Sequence, residues 1–155
     1  MVVNSYLRVS NKFLAIRDAE SPVKGFYIPG AIEIIVDRQR LLGTAEWDYV
    51  DQLWAYLIEG VQQVLAGQEF TTFFPDQPIQ VDLIPVNDVL QIRVSTRNGE
   101  IDRRVQVDKS IFCHVMSSAA LDFFSNLAKL VRGKNLRMCN DMIARVIEIQ
   151  RILGT

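Results

Sequence analysis

Histidine is nearly missing from this chain: His114 stands alone among 155 residues. One imidazole and two separated cysteines, Cys113 and Cys139, leave no motif for a zinc site, which takes about four nitrogen or sulfur ligands. A Ser-His-Asp arrangement through His114 has no nucleophile elbow to support it. Glycine is too thinly spread to form a P-loop or a Rossmann phosphate loop. Asp37, Asp48 and Asp51 lack the dense oxygen-ligand spacing of a calcium loop. No catalytic residue, metal or cofactor is therefore expected. No apolar run reaches the ~18 residues of a membrane-spanning helix. The opening Met1-Val2-Val3-Asn4-Ser5-Tyr6-Leu7-Arg8 lacks the basic-then-apolar layout of a signal peptide, so the cytosol is the default location. In that compartment the two cysteines read as free, half-buried thiols.

Basic residues are absent from Leu41 to Ile92. That segment holds Glu46, Asp48, Asp51, Glu59, Glu69, Asp76, Asp82 and Asp88, a net charge of -8. Residues 1–40 balance to +2 and residues 93–155 to +5, so the overall charge of -1 hides a segregation. Such a pattern means either internal complementarity or an acidic face for a basic partner. Nucleic acid is not expected. Arg93, Arg97, Arg103, Arg104 and Lys109 form no dense basic and aromatic stripe, and the sequence pI is about 5.8.

What is present is an ordinary globular balance, with 49% hydrophobic and 23% charged residues. Residues 1–155 read as a single domain. The organising stretch is Thr44 to Gly67. Trp47, Val50, Trp54, Leu57, Ile58, Val61, Val64 and Leu65 recur at helical spacing, which predicts one long amphipathic helix. Thr44 is placed as its N-cap and Gly67 as its left-handed stop. Gly60, inside it, marks a close crossing or nothing.

Short strands are predicted at Ser5–Val9, Lys12–Arg17 and Ile32–Asp37, with turns at Ser10-Asn11 and Asp37–Arg40. Asn98-Gly99 between alternating apolar residues is a strong hairpin signal. It pairs Val94 with Arg103, Ile92 with Val105 and Leu90 with Val107. A loop over residues 85–88 would pair Leu83 with Leu90 and Val81 with Ile92. Helices are predicted at Ile111–Val131, capped by Asp108 or Ser110, and at Leu136–Leu153, capped by Asn135. The short basic connection between them makes them antiparallel neighbours.

Two surfaces stand out. The outer side of the long helix carries Asp48, Gln52, Tyr56 and Glu59, with Tyr49 beside them. An aromatic anchor among carboxylates suits a protein interface, and a negative field speeds encounter with a basic partner. The competing reading is an ordinary solvated helix face. The rival from another class is a ligand pocket or unrecognised active site between helix and sheet, lined by Phe70, Phe73 and Phe74 with Asp51 or Arg103 as the polar contact.

Tyr27-Ile28-Pro29-Gly30, the Trp47–Trp54 run and Phe74-Pro75-Asp76-Gln77-Pro78 followed by a strand resemble a group of small uncharacterised bacterial α+β proteins. Some of these are similar to immunity proteins of polymorphic toxin systems. The likeness covers about residues 27–84 and brings no catalytic signature or partner residues with it.

The expectation is an α+β domain with an antiparallel sheet of about five or six strands. The long helix and the C-terminal helix pair would pack on its apolar face. Functionally it is a non-enzymatic cytosolic interaction protein binding a basic protein, an immunity-type inhibitor in its concrete form. Self-association is a further option.

Overall fold

Period-two alternation builds two antiparallel sheets rather than one, and three helices pack against them. The computed structural model describes residues 1–154. The first sheet comprises β1 (Val2–Val9), β2 (Lys12–Ala15), β3 (Pro29–Val36), β4 (Gln39–Leu42) and the two-residue β5 (Asp48–Tyr49). Its order is β2-β1-β3-β4, with β5 paired to β3. Both hairpin turns use left-handed residues, Ser10-Asn11 and Asp37-Arg38. Two successive left-handed residues match the twist of the flanking strands.

The second sheet runs β6 (Phe70–Phe73), β7 (Ile79–Val86), β8 (Val89–Thr96) and β9 (Asp102–Asp108) in that order. Between β8 and β9 the register is the one the hairpin signal implies, with Val94 opposite Arg103 and Ile92 opposite Val105. The β7–β8 register differs from expectation. Val86 pairs with Val89 across a two-residue turn, so Leu83 meets Ile92 and Val81 meets Val94. The strand continues through Pro85 and Val86 instead of breaking there. The shift is even, so every side chain keeps its face.

Helix α1 spans Val50–Leu65, α2 spans Lys109–Leu127 and α3 spans Gly133–Leu153. The long helix expected from Thr44 is a correction. Thr44–Glu46 is a 3-10 turn, Trp47 is extended, Asp48–Tyr49 is strand, and only then does α1 begin. Asp108 caps α2 by accepting from the Ile111 amide at 2.9 Å. Asn135 caps nothing; α3 starts earlier, and the Asn135 side chain donates to the Gly25 carbonyl at 2.8 Å.

Helix α1 packs on β3, β6 and β7, while α2 packs on β1, β8, β9 and α1; α3 lies along α2. Both sheets thereby share one apolar cluster. It includes Leu7 and Ile32 from the first, Leu83 and Ile92 from the second, and Trp54, Phe123 and Phe124 between. Trp54 is fully buried and donates its indole N–H to Ser5 Oγ at 2.9 Å, so its polar end is satisfied inside the core.

Gly60 is a close crossing. A Cβ there would lie 2.8 Å from Leu83 Cδ1 and 2.8 Å from Phe70 Cδ1. Gly60→Val is expected to destabilise by about 2 kcal/mol, since overpacking outweighs any gain in helix propensity. A urea midpoint unchanged from wild type would contradict this.

Candidate functional site

Residues 27–30, 47–54 and 74–78 meet at one place. Val50 N–H donates to the Ile28 carbonyl at 2.9 Å, and β5 pairs Tyr49 with Pro29 and Asp48 with Gly30. Gly30 is required there: a Cβ would collide with the Tyr6 carbonyl oxygen and with Val50. The third stretch is tied in by the Asp48 carboxylate. Its Oδ2 accepts from the Asp76 amide at 3.0 Å and the Gln77 amide at 2.9 Å, while Oδ1 accepts from the Tyr49 amide at 2.7 Å. The Gln77 side chain also donates to the Trp47 carbonyl at 2.9 Å.

Around this junction the outer face of the first sheet is aromatic. Residues of one parity point away from the core. In β1 these are Asn4, Tyr6 and Arg8, and the register sets Tyr6 opposite Ala15 and Arg8 opposite Phe13. Across β3 and β5 the same face continues through Pro29 and Tyr49. The Arg8 guanidinium lies over the Trp47 ring, 4.0 Å from its centroid, a cation–π contact. Tyr49 and Tyr27 rings sit 4.8 Å apart between centroids. Tyr27 is 63% exposed, whereas Tyr6, Arg8, Phe13, Trp47 and Tyr49 are half-buried. Glu33 anchors the polar end of the face, taking bonds from Asn4 and Tyr6 and an ion pair from Arg40 at 3.3 Å. Burial, then the Glu33 carboxylate, push the Tyr6 hydroxyl above its ordinary pKa. A groove of about 300 Å³ borders this face, with Arg8, Leu14, Tyr27 and Pro29 in its walls.

The acidic helix patch is not assembled as anticipated. Asp48 is off the helix and 3% exposed, with its carboxylate spent on backbone amides. Tyr49 is on β5. Gln52 and Tyr56 are half-buried on α1, and Glu59 is its exposed carboxylate. Part of the segment's charge is taken inside: Glu46, Asp48 and Asp51 are buried and Asp82 faces Arg93 across β7 and β8, while Glu59, Glu69, Asp76 and Asp88 stay exposed.

Nor do the residues of the alternative pocket converge. Phe70 and Phe74 face inward, Phe70 against Gly60, while Phe73 is 60% exposed on the opposite face of the second sheet. Arg103 lies at the seam between the sheets, donating to Glu46 at 2.6 Å and to the Leu41 carbonyl at 2.9 Å. Asp51 is buried in the first turn of α1. With Phe73 on the opposite face, the five groups do not share one wall.

Asp51 Oδ1 has no hydrogen-bond partner, and burial pushes this carboxyl above its ordinary pKa despite opposing bonds from its own and the Gln52 amides. Burial raises the Cys139 thiol to about 12, with Asp51 adding to the shift, and the Cys113 thiol to about 11. Thiols held that high are poor nucleophiles. For Asp51 the linkage is direct. A folded pKa above the unfolded ~3.9 gives stability that is complete below that value and lost as pH rises through the folded one. Asp51→Asn is therefore expected to raise the urea midpoint at neutral pH. Wild type and variant should converge near pH ~4. Urea unfolding across pH checks this, and a gap independent of pH would contradict it.

His114, half-buried on α2, places Nδ1 2.9 Å from the Ser110 carbonyl within its own helix. Among the described residues no three of His, Cys, Asp and Glu stand where they could share a metal ion. No helix among the described residues is long and apolar enough to cross a membrane. Set against known protein families, curated proteins and solved structures, the chain matches none of them.

Proposed function

We propose that the chain is a non-enzymatic interaction protein that receives a protein partner on the outer face of its first sheet. The supporting observation is the composition of that face: Tyr6, Phe13, Trp47 and Tyr49 stand on one side around Arg8, with Tyr27 at the rim. Tryptophan, tyrosine and arginine dominate binding hot spots because they bury large rigid surfaces at small entropic cost. A face of four strands covers roughly 500 Å² at ordinary strand spacing. A standard interface takes ~800 Å² per partner, so the partner also reaches the Tyr27 groove.

The charged groups of the face are few, Arg8 and Arg40 against Glu33, so its net charge is small. An apolar, weakly charged partner surface fits it better than a strongly basic one. An inhibitor of the immunity type remains the concrete form, acting by occlusion.

A photo-crosslinking residue at Phe13 is expected to capture one protein from cells of the source, and Tyr49→Ser to abolish that adduct. The same probe at Glu59 should capture nothing. An adduct from Glu59 alone would transfer the interface to the α1 face. No specific adduct from either position would refute the interaction reading.

A further inference from the structure

We infer that the cleft between residues 20–27 and the α2–α3 connection binds a phosphate-bearing anion. The walls are held together by two bonds across the chain: Val23 N–H donates to the Leu130 carbonyl at 2.8 Å, and Asn135 Nδ2 to the Gly25 carbonyl at 2.8 Å. Between them lies a cavity of about 530 Å³ that exposes Lys24, Lys129 and Arg132. That volume is in the range of small-ligand sites, ~300–1,000 Å³. Lys134 adds a fourth cation, with Nζ 5.9 Å from the Phe26 ring centroid, and Arg137 follows one turn along α3. Glu20 is the carboxylate in the walls.

Among the described residues no cation of the cleft, Lys24, Lys129, Arg132, Lys134 or Arg137, is ion-paired, whereas six of the twelve elsewhere in the chain are. Arg17, Arg40, Arg93, Arg103, Arg104 and Arg151 all reach carboxylates. Within a Debye length of ~8 Å such neighbours repel, and a bound dianion removes that repulsion. Arginine and lysine converging on one cavity suit phosphate oxygens, the first by its fork and the second as a point charge. Phe26 stands at the mouth, 73% exposed. An apolar ring beside cations suits either the planar part of a soluble phosphate compound or the edge of a lipid layer. The shared chemistry is the phosphate group.

The test is titration of the whole chain with inorganic pyrophosphate, followed by amide NMR. In parallel, the chain is sedimented with phosphatidylcholine vesicles, with and without phosphatidic acid. Pyrophosphate is expected to shift the amides of residues 23–26 and 129–137. The double variant Lys129→Glu/Arg132→Glu should weaken its binding at least ~10-fold. Arg97→Glu, on the β8–β9 turn, serves as the charge control and should leave binding intact. Sedimentation only with phosphatidic acid, lost in the double variant, also supports the cleft and assigns the source to lipid. Shifts elsewhere, equal loss in Arg97→Glu, or no response in either arm would overturn the proposal.

Discussion

Replacing Asp48 with alanine is expected to lower stability by about 3 kcal/mol, the largest effect of any exchange at a residue the sequence marks as polar. The carboxylate is buried and accepts three backbone N–H bonds, two of them from residues 28 and 29 positions along the chain. Removing it strands the Asp76 and Gln77 amides at a part-buried junction and frees the turn they anchor. Each unsatisfied buried donor costs ~1–3 kcal/mol. Asp48→Asn keeps one acceptor oxygen and is expected to cost about half as much. Because the bonds tie the Pro75–Pro78 turn to β5, the loss has a local signature. Hydrogen exchange at Asp76 and Gln77 should accelerate more than at Leu57, buried in the same core. A variant with wild-type urea midpoint and unchanged exchange at those amides would show that the turn is held by something else.

That role for Asp48 explains where the sequence misleads. Trp47, Val50 and Trp54 are spaced three and four apart, so apolar periodicity alone extends the helix back to Thr44. What breaks it lies far away: β3 claims the backbone of residues 48 and 49, and the Pro75–Pro78 turn claims the carboxylate. Local pattern carries no trace of a bond between residues so widely separated. The β8–β9 register, by contrast, was legible, because alternation and turn signal agree over a few residues. Even there the turn is not the two-residue form. Gly99 N–H bonds the Thr96 carbonyl, and the ladder ends at Ser95 and Asp102. Alternation does not fix the β7–β8 register, because a shift of two residues leaves every face unchanged. For the same reason alternation does not say how many sheets the strands form.

The candidate faces divide along the same line. Charge counting isolates the acidic segment, yet burial of Glu46, Asp48 and Asp51 turns part of that charge into internal structure. The aromatic face and the cationic cleft escape sequence reading because each collects residues from distant segments. Arg8 meets Trp47, and Gly25 meets Asn135. Residues 27–30, 47–54 and 74–78 are likewise distant stretches that meet at one junction. Their shared role there is backbone anchoring.

The second large effect belongs to Arg103, the one charged residue on the apolar side of its hairpin. Arg103→Met is expected to destabilise by about 2 kcal/mol. Its guanidinium reaches the Glu46 carboxylate, nearly buried in the 3-10 turn, and the Leu41 carbonyl of β4. It thereby joins β9 of the second sheet to β4 of the first. Removing the cation leaves a buried carboxylate without compensation, a loss of ~3–5 kcal/mol when both partners are dry. The Arg103 side chain keeps 32% of its surface in water, which lowers the figure. If the cost is stranded charge, removing both charges restores most of it. Glu46→Leu/Arg103→Met should lie within about 1 kcal/mol of wild type, with a coupling energy of about 1–2 kcal/mol in the double-mutant cycle. Additive single effects would mean instead that Arg103 acts by packing its methylenes across the seam, with the ion pair contributing nothing to the union of the sheets.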